Sequence, residues 1–297
     1  MLNFEIWGMT GTLATEREDQ REFAEARLWH WLDAIDQSCS RFRPDSELAL
    51  LNERGDADLS PTLELALVAA LESYDATNGL SDPTVLPALL ALGYSVDYAD
   101  LARDGGATPL DAVPSLGRDA ITMDLSHHHV SLARGCQLDL GASAKALAAD
   151  LVANDVAPHG GVLVEIGGDV AVRGRGPNGP WAIGVSDVLD IRGDEPRVSI
   201  ANGGVATSST ATRGWLANGE RVHHIVDPRT GACATGPYVT ATVSAESCVR
   251  ANAFATAALL WGEDAGYHLA QAGCAGRLVR ASGAVEHVGG WPQDNAA

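Results

Sequence analysis

Apolar positions recur along this chain with two different periods. Leu28, Trp31, Leu32 and Ile35 stand at i, i+3, i+4 and i+7, which predicts an acidic amphipathic helix over residues 16–38. A second helix is predicted to open with Ser60 as N-cap and Pro61 at its first position. Its apolar stripe is Leu63, Leu67, Leu71 and Tyr74, and Asn78-Gly79 stops it. Residues 96–118, rich in Asp, Gly and Pro, predict a surface excursion, and residues 290–297 a tail. The pattern then alternates at Ile121–Leu125, Val130–Leu132, Val162–Ile166, Trp181–Val185, Arg197–Ala201 and Val239–Val243. Helices are expected near 142–154 and 248–261. Strands and helices interleaved in this way predict an α+β fold, with a mixed, mainly antiparallel sheet and flanking helices in one large domain.

Composition narrows the function. With 297 residues and 46% hydrophobic positions, the chain can fill a sizeable core. A formal charge of −19 repels phosphate backbones and argues against a nucleic-acid partner. Cys39, Cys136, Cys233, Cys248 and Cys274 are scattered without a CxxC pair, so neither a disulfide framework nor a zinc site is expected. No apolar run reaches the roughly 18 residues of a membrane span. The opening Met1-Leu2-Asn3-Phe4-Glu5 has no basic or apolar leader character, and the expectation is a cytoplasmic protein. Neither a strand–GxGxxG–helix unit nor GxxxxGK[ST] is present, so Rossmann and P-loop nucleotide sites are unsupported. Of 20 basic residues only Lys145 is a lysine, which marks a place where a compact ammonium serves better than an arginine fork.

Four segments carry polar groups that a plain core does not need. In Leu138-Asp139-Leu140-Gly141-Ala142-Ser143-Ala144-Lys145, a Gly turn leads into a helix start, whose free N–H groups suit an anion. Taken alone, Asp139 reads equally as a helix cap and Lys145 as a solvated side chain. The pair Gly167-Gly168 before Asp169 fits a turn or a close backbone approach. Thr207-Ser208-Ser209-Thr210 offers hydroxyls to phosphate oxygens. In His223-His224-Ile225-Val226-Asp227-Pro228, a histidine near a carboxylate can move a proton near neutral pH, although lone histidines are more often structural. Asn252 and Thr256, at i and i+4, share a helix face and present two oxygens, without charge, to a hard cation. The triplet His127-His128-His129 reads as an exposed turn.

The order of short motifs adds a resemblance. Thr10-Gly11-Thr12, Ser40-Arg41-Phe42 with Asp45-Ser46-Glu47-Leu48 to Asn52, Asp82-Pro83-Thr84-Val85 and Leu92-Gly93-Tyr94 are followed by Leu138–Ala142 with Lys145. Ile166-Gly167-Gly168-Asp169, Ala206-Thr207-Ser208, His224–Gly231 and Ala251–Thr256 complete the series. In this order, along nearly its whole length, the chain resembles the ApbE family of FAD:protein FMN transferases. The resemblance implies that FAD and Mg²⁺ are bound and that FMN passes from FAD to a threonine hydroxyl of an acceptor flavoprotein, releasing AMP. It implies FAD contacts at Thr10, Phe42, Leu92, Gly93, Tyr94, Asp139, Lys145 and Ile225. It implies metal ligation at Ala142 (through its carbonyl), Asn252 and Thr256, and a general base at His224.

The chain departs from the family pattern at four places. Thr10 replaces a methionine, Glu165 an asparagine, Ser209 a glycine and Asn252 an aspartate. The last removes the charge that attracts Mg²⁺. Three alternatives follow: metal that binds weakly until the FAD pyrophosphate supplies charge, substitution by Glu165 or Asp169, or an FAD-binding protein with impaired catalysis. A metal-dependent FAD hydrolase giving FMN and AMP is a further alternative.

Overall fold

The computed structural model describes residues 1–98, 100–101, 111–186, 195–217 and 219–293. The chain forms two compact units: residues 1–32, 145–212 and 236–297, and residues 33–144 with 213–235. Every strand pairing among the described residues is antiparallel, so the expected α+β class holds.

The first unit is built on an eight-stranded sheet in the order Leu2–Ile6, Met9–Thr15, Val162–Ile166, Asp169–Arg173, Asn202–Ser209, Tyr238–Ala245, Ala275–Arg280 and Val285–Val288. On one side of it Val170, Val172 and Val205 pack with Ile183, Val185, Val198 and Trp291. Trp291 thus lies in the core although it falls in the segment expected to be a tail; residues 294–297 lie outside the described residues. The helix Cys248–Trp261 begins with Ser247 as N-cap and carries a run of buried alanines. Small residues let it sit close to the sheet: a Cβ added at Gly204 would overlap the backbone of Cys248. The helix is further tied down by Asp150, which accepts from the Cys248 and Val249 N–H groups at 3.1 and 3.0 Å and from Arg173 Nη2 at 3.1 Å.

The second unit holds the helices Glu47–Arg54 and Pro61–Ala76 and two small ribbons. Ser60 caps Pro61–Ala76 by accepting from Leu63 N–H at 3.2 Å, a contact of about 1 kcal/mol. In the expected excursion, residues 99 and 102–110 lie outside the described residues. Its later part is fixed: Ser115 N–H donates to the Pro228 carbonyl at 2.8 Å and Gly117 N–H to Thr84 Oγ1 at 2.9 Å. No helix among the described residues is long and apolar enough to cross a membrane.

Candidate functional site

In the first unit the chemistry gathers around Asp169. Gly167 and Gly168, with φ of 60° and 93°, make the two-residue turn between Val162–Ile166 and Asp169–Arg173. The left-handed pair suits a tight hairpin and leaves Asp169 as the first residue of the returning strand, 3% exposed. Its Oδ1 accepts from Asn252 Nδ2 at 3.0 Å, and its Oδ2 lies 4.0 Å from Lys145 Nζ. Lys145 stands in the first turn of Ser143–Val156, where the helix dipole is positive and no acidic residue offsets it. A cation there costs roughly 0.3–1 kcal/mol, so the position favours an anion rather than helix stability. One turn beyond Asn252, Thr256 Oγ1 is 3.0 Å from Ser208 Oγ.

The Thr207–Thr210 hydroxyls, which the sequence offers to phosphate oxygens, have partners within the protein. They belong to, or directly follow, the central strand Asn202–Ser209. Thr207 Oγ1 pairs with Thr242 Oγ1 at 2.9 Å across the strands, and Ser209 Oγ donates to the Val239 carbonyl at 3.1 Å. The residues are small and polar because neighbouring strands and a close-lying helix leave space for little else. Thr10 is exposed, and its carbonyl accepts from Gly167 N–H at 3.0 Å. Glu165 is turned onto the Gly168 N–H at 2.8 Å, and burial raises its carboxyl above the ordinary value.

In the second unit Asp139 lies on a braced loop. Asn52 grips Leu138 at two points, donating to its carbonyl at 2.9 Å and accepting from its N–H at 2.7 Å. Asp139 N–H donates to the Pro83 carbonyl at 2.8 Å, on a turn that Asp82 closes by accepting from Thr84 N–H at 2.7 Å. One Asp139 oxygen accepts from Gly141 N–H at 2.7 Å. The other takes Arg41 Nε at 2.6 Å, an ion pair whose side chains are only 7% and 11% exposed. Asp139 therefore closes its own turn and anchors an arginine. The Arg41 guanidinium lies 4.0 Å from the ring of Phe42 and 4.5 Å from that of Tyr94. Tyr94 packs against Trp215 at 5.2 Å, and Trp215 Nε1 donates to the Leu92 carbonyl at 2.8 Å. Four residues expected to meet FAD (Phe42, Leu92, Tyr94 and Asp139) are thus linked through Arg41, which the sequence placed in a motif without a role, and Trp215, which it did not single out. Gly93 supplies a φ of 87° to the bend, and Ile225 is buried. Ala142 is exposed, beside a small cleft lined by Ser81, Asp82, Pro83 and Ser143.

His223 and His224 have different surroundings. His224 Nδ1 faces the Arg213 carbonyl at 3.4 Å. Asp227, the carboxylate nearest in sequence, is spent on Arg229, whose Nη2 donates to it at 2.7 Å and holds its carboxyl below the usual range. In the segment where sequence spacing placed a carboxylate near the histidines, the Asp227 carboxylate is engaged by Arg229. His223 Nε2 donates to the Ala234 carbonyl at 3.2 Å, and burial lowers the pKa of its ring. The folded chain binds this proton less readily than the unfolded chain. The stability it contributes is therefore present above about pH 6.5 and lost as pH falls below it. Urea unfolding from about pH 7.5 to 5.5 is expected to show a steeper loss for the wild type than for His223→Gln. Equal slopes would remove His223 as the cause.

The chain aligns with known proteins along most of this framework. The family model of the ApbE family matches residues 7–278. The FAD:protein FMN transferase of Haemophilus influenzae is 25% identical over 273 residues, covering 88% of this chain and 78% of that protein. The FAD:protein FMN transferase of Vibrio cholerae is 28% identical, covering 81% and 74%. The crystal structure of the ApbE protein of Thermotoga maritima superposes with a TM-score of 0.81 at 27% identity, over 97% of this chain and 96% of that one. A match of this extent, carried by the same fold, makes the chain a member of the ApbE family.

Proposed function

We propose that this protein transfers FMN from FAD to a threonine hydroxyl of an acceptor flavoprotein, releasing AMP, with Mg²⁺ assisting. The observation that carries the proposal is the chain's only lysine at the positive end of a helix, beside a buried carboxylate, in a member of a family whose relatives are named for this activity. Ammonium and dipole together suit the diphosphate of FAD. Phe42 and Tyr94 suit its planar rings, and the Arg41–Asp139 pair holds those side chains in place.

The acceptor oxygen attacks the phosphorus on the FMN side, the bond from that phosphorus to the bridging oxygen breaks, and AMP leaves with the electron pair. The hydroxyl proton passes to His224. With Nδ1–H directed at the Arg213 carbonyl, the lone pair lies on Nε2, which acts as the base. An ammonium such as that of Lys145 stabilises charge that grows on a departing phosphate. When bound, Mg²⁺ neutralises phosphate charge; Asn252, Thr256 and Asp169 offer it hard oxygens with one carboxylate, a set suited to that ion when a diphosphate completes it.

The test is incubation of the protein with FAD, Mg²⁺ and a flavoprotein carrying an acceptor threonine. A covalently flavinylated acceptor and an equal amount of AMP are expected. FAD that binds without yielding either product would overturn the proposal, and AMP released in the absence of any acceptor would make the protein a hydrolase.

A further inference from the structure

Residue 252 sets the charge of the site before any ligand arrives. Asn252 is 8% exposed and commits its amide nitrogen to Asp169, which leaves Oδ1 as the amide's acceptor. The other oxygen of Asp169 faces Lys145 at 4.0 Å. Nearby acids are engaged elsewhere: Glu165 on the Gly168 N–H, and Asp150 on Arg173 and the start of Cys248–Trp261. Among the described residues, the contacts around Asn252 thus join one carboxylate, Asp169, to one ammonium, Lys145. A carboxylate at 252, as in the family pattern, would set two against one.

A balanced site gives a divalent cation little compensation for the water it sheds, because neutral oxygens supply dipoles but no charge. A diphosphate changes that balance, since it engages the ammonium and adds anionic oxygens beside Asn252 and Thr256. We propose, on the basis of the flavin-transfer reading above, that this chain takes its divalent cation only together with the nucleotide diphosphate, and that Asn252 is the residue that couples the two. Linkage then requires metal to tighten nucleotide binding by the same factor. An aspartate at 252 would loosen that dependence by drawing the metal in unaided.

Two readouts on the full-length protein decide the matter. Mn²⁺ binding to the protein without nucleotide is followed by electron paramagnetic resonance, and FAD affinity by flavin fluorescence with EDTA or with Mg²⁺. The wild type is expected to leave the free Mn²⁺ signal unchanged, while Mg²⁺ tightens FAD binding about tenfold or more. Asn252→Asp is expected to bind Mn²⁺ alone and to show a smaller effect of Mg²⁺ on FAD. Mn²⁺ bound by the wild type without nucleotide, or FAD affinity indifferent to Mg²⁺, would overturn the coupling; both are wild-type measurements and stand even where the variant does not fold. FAD that binds under no condition would instead sink the transfer reading itself.

Discussion

Replacing Asp150 with alanine is expected to lower the unfolding free energy by about 3–5 kcal/mol. The side chain is 7% exposed and holds three donors at once: the Cys248 and Val249 N–H groups and Arg173 Nη2. Alanine leaves two helix N–H groups without their acceptor in a site closed to water, each costing roughly 1–3 kcal/mol. Arg173 keeps Asn154 and two backbone carbonyls, so its charge is not stranded, which places the expected loss below a simple sum. Asp150→Asn retains an acceptor oxygen and is expected to cost less. Denaturant unfolding gives the total, and hydrogen exchange at the first amides of Cys248–Trp261 localises it. A loss under about 1 kcal/mol for alanine would show that Ser247 alone suffices as the cap.

Replacing His224 with glutamine is expected to lower the transfer rate roughly a hundred- to ten-thousand-fold, the usual span for a lost general base. Glutamine can still donate toward the Arg213 carbonyl that now receives Nδ1, but it cannot take a proton. FAD affinity is therefore expected to stay within about twofold, since ground-state binding and proton transfer are separate contributions. The wild-type rate is expected to fall on the acid side as His224 takes up a proton, and the residual rate of the variant to lack that limb. A variant that transfers at the wild-type rate would remove His224 from the chemistry.

The sequence was most legible where structure is decided locally. The start of Pro61–Ala76 was readable from Ser60 and Pro61, because a cap is chemistry between neighbours. The strand Asn202–Ser209 was not readable: Gly203, Gly204, Thr207, Ser208 and Ser209 look like a loop, and only the close packing of a helix explains small residues at the centre of a sheet. The strand Met9–Thr15 was hidden in a similar way by Thr10, Gly11 and Thr12. In the site, Lys145 stood out by its rarity, and Asn252 by its departure from a pattern. That Asn252 leans on Asp169, 83 positions earlier, follows only from the chain's path. Arg41 stood inside the Ser40-Arg41-Phe42 motif with no role attached, because nothing in a linear sequence separates an arginine lying over two aromatic rings from one in solvent.

The bare backbone at Gly204 has a consequence for any attempt to engineer this protein. A single methyl group there, on a residue bearing no functional group, would lift the start of Cys248–Trp261 off the sheet. Asn252 and Thr256 would move with it, and their distances to Asp169 and Ser208 would change together. The spacing of the Asn252 cluster and the seating of the helix are thus wired to one missing side chain, and a screen for hardier variants would have to leave that position untouched.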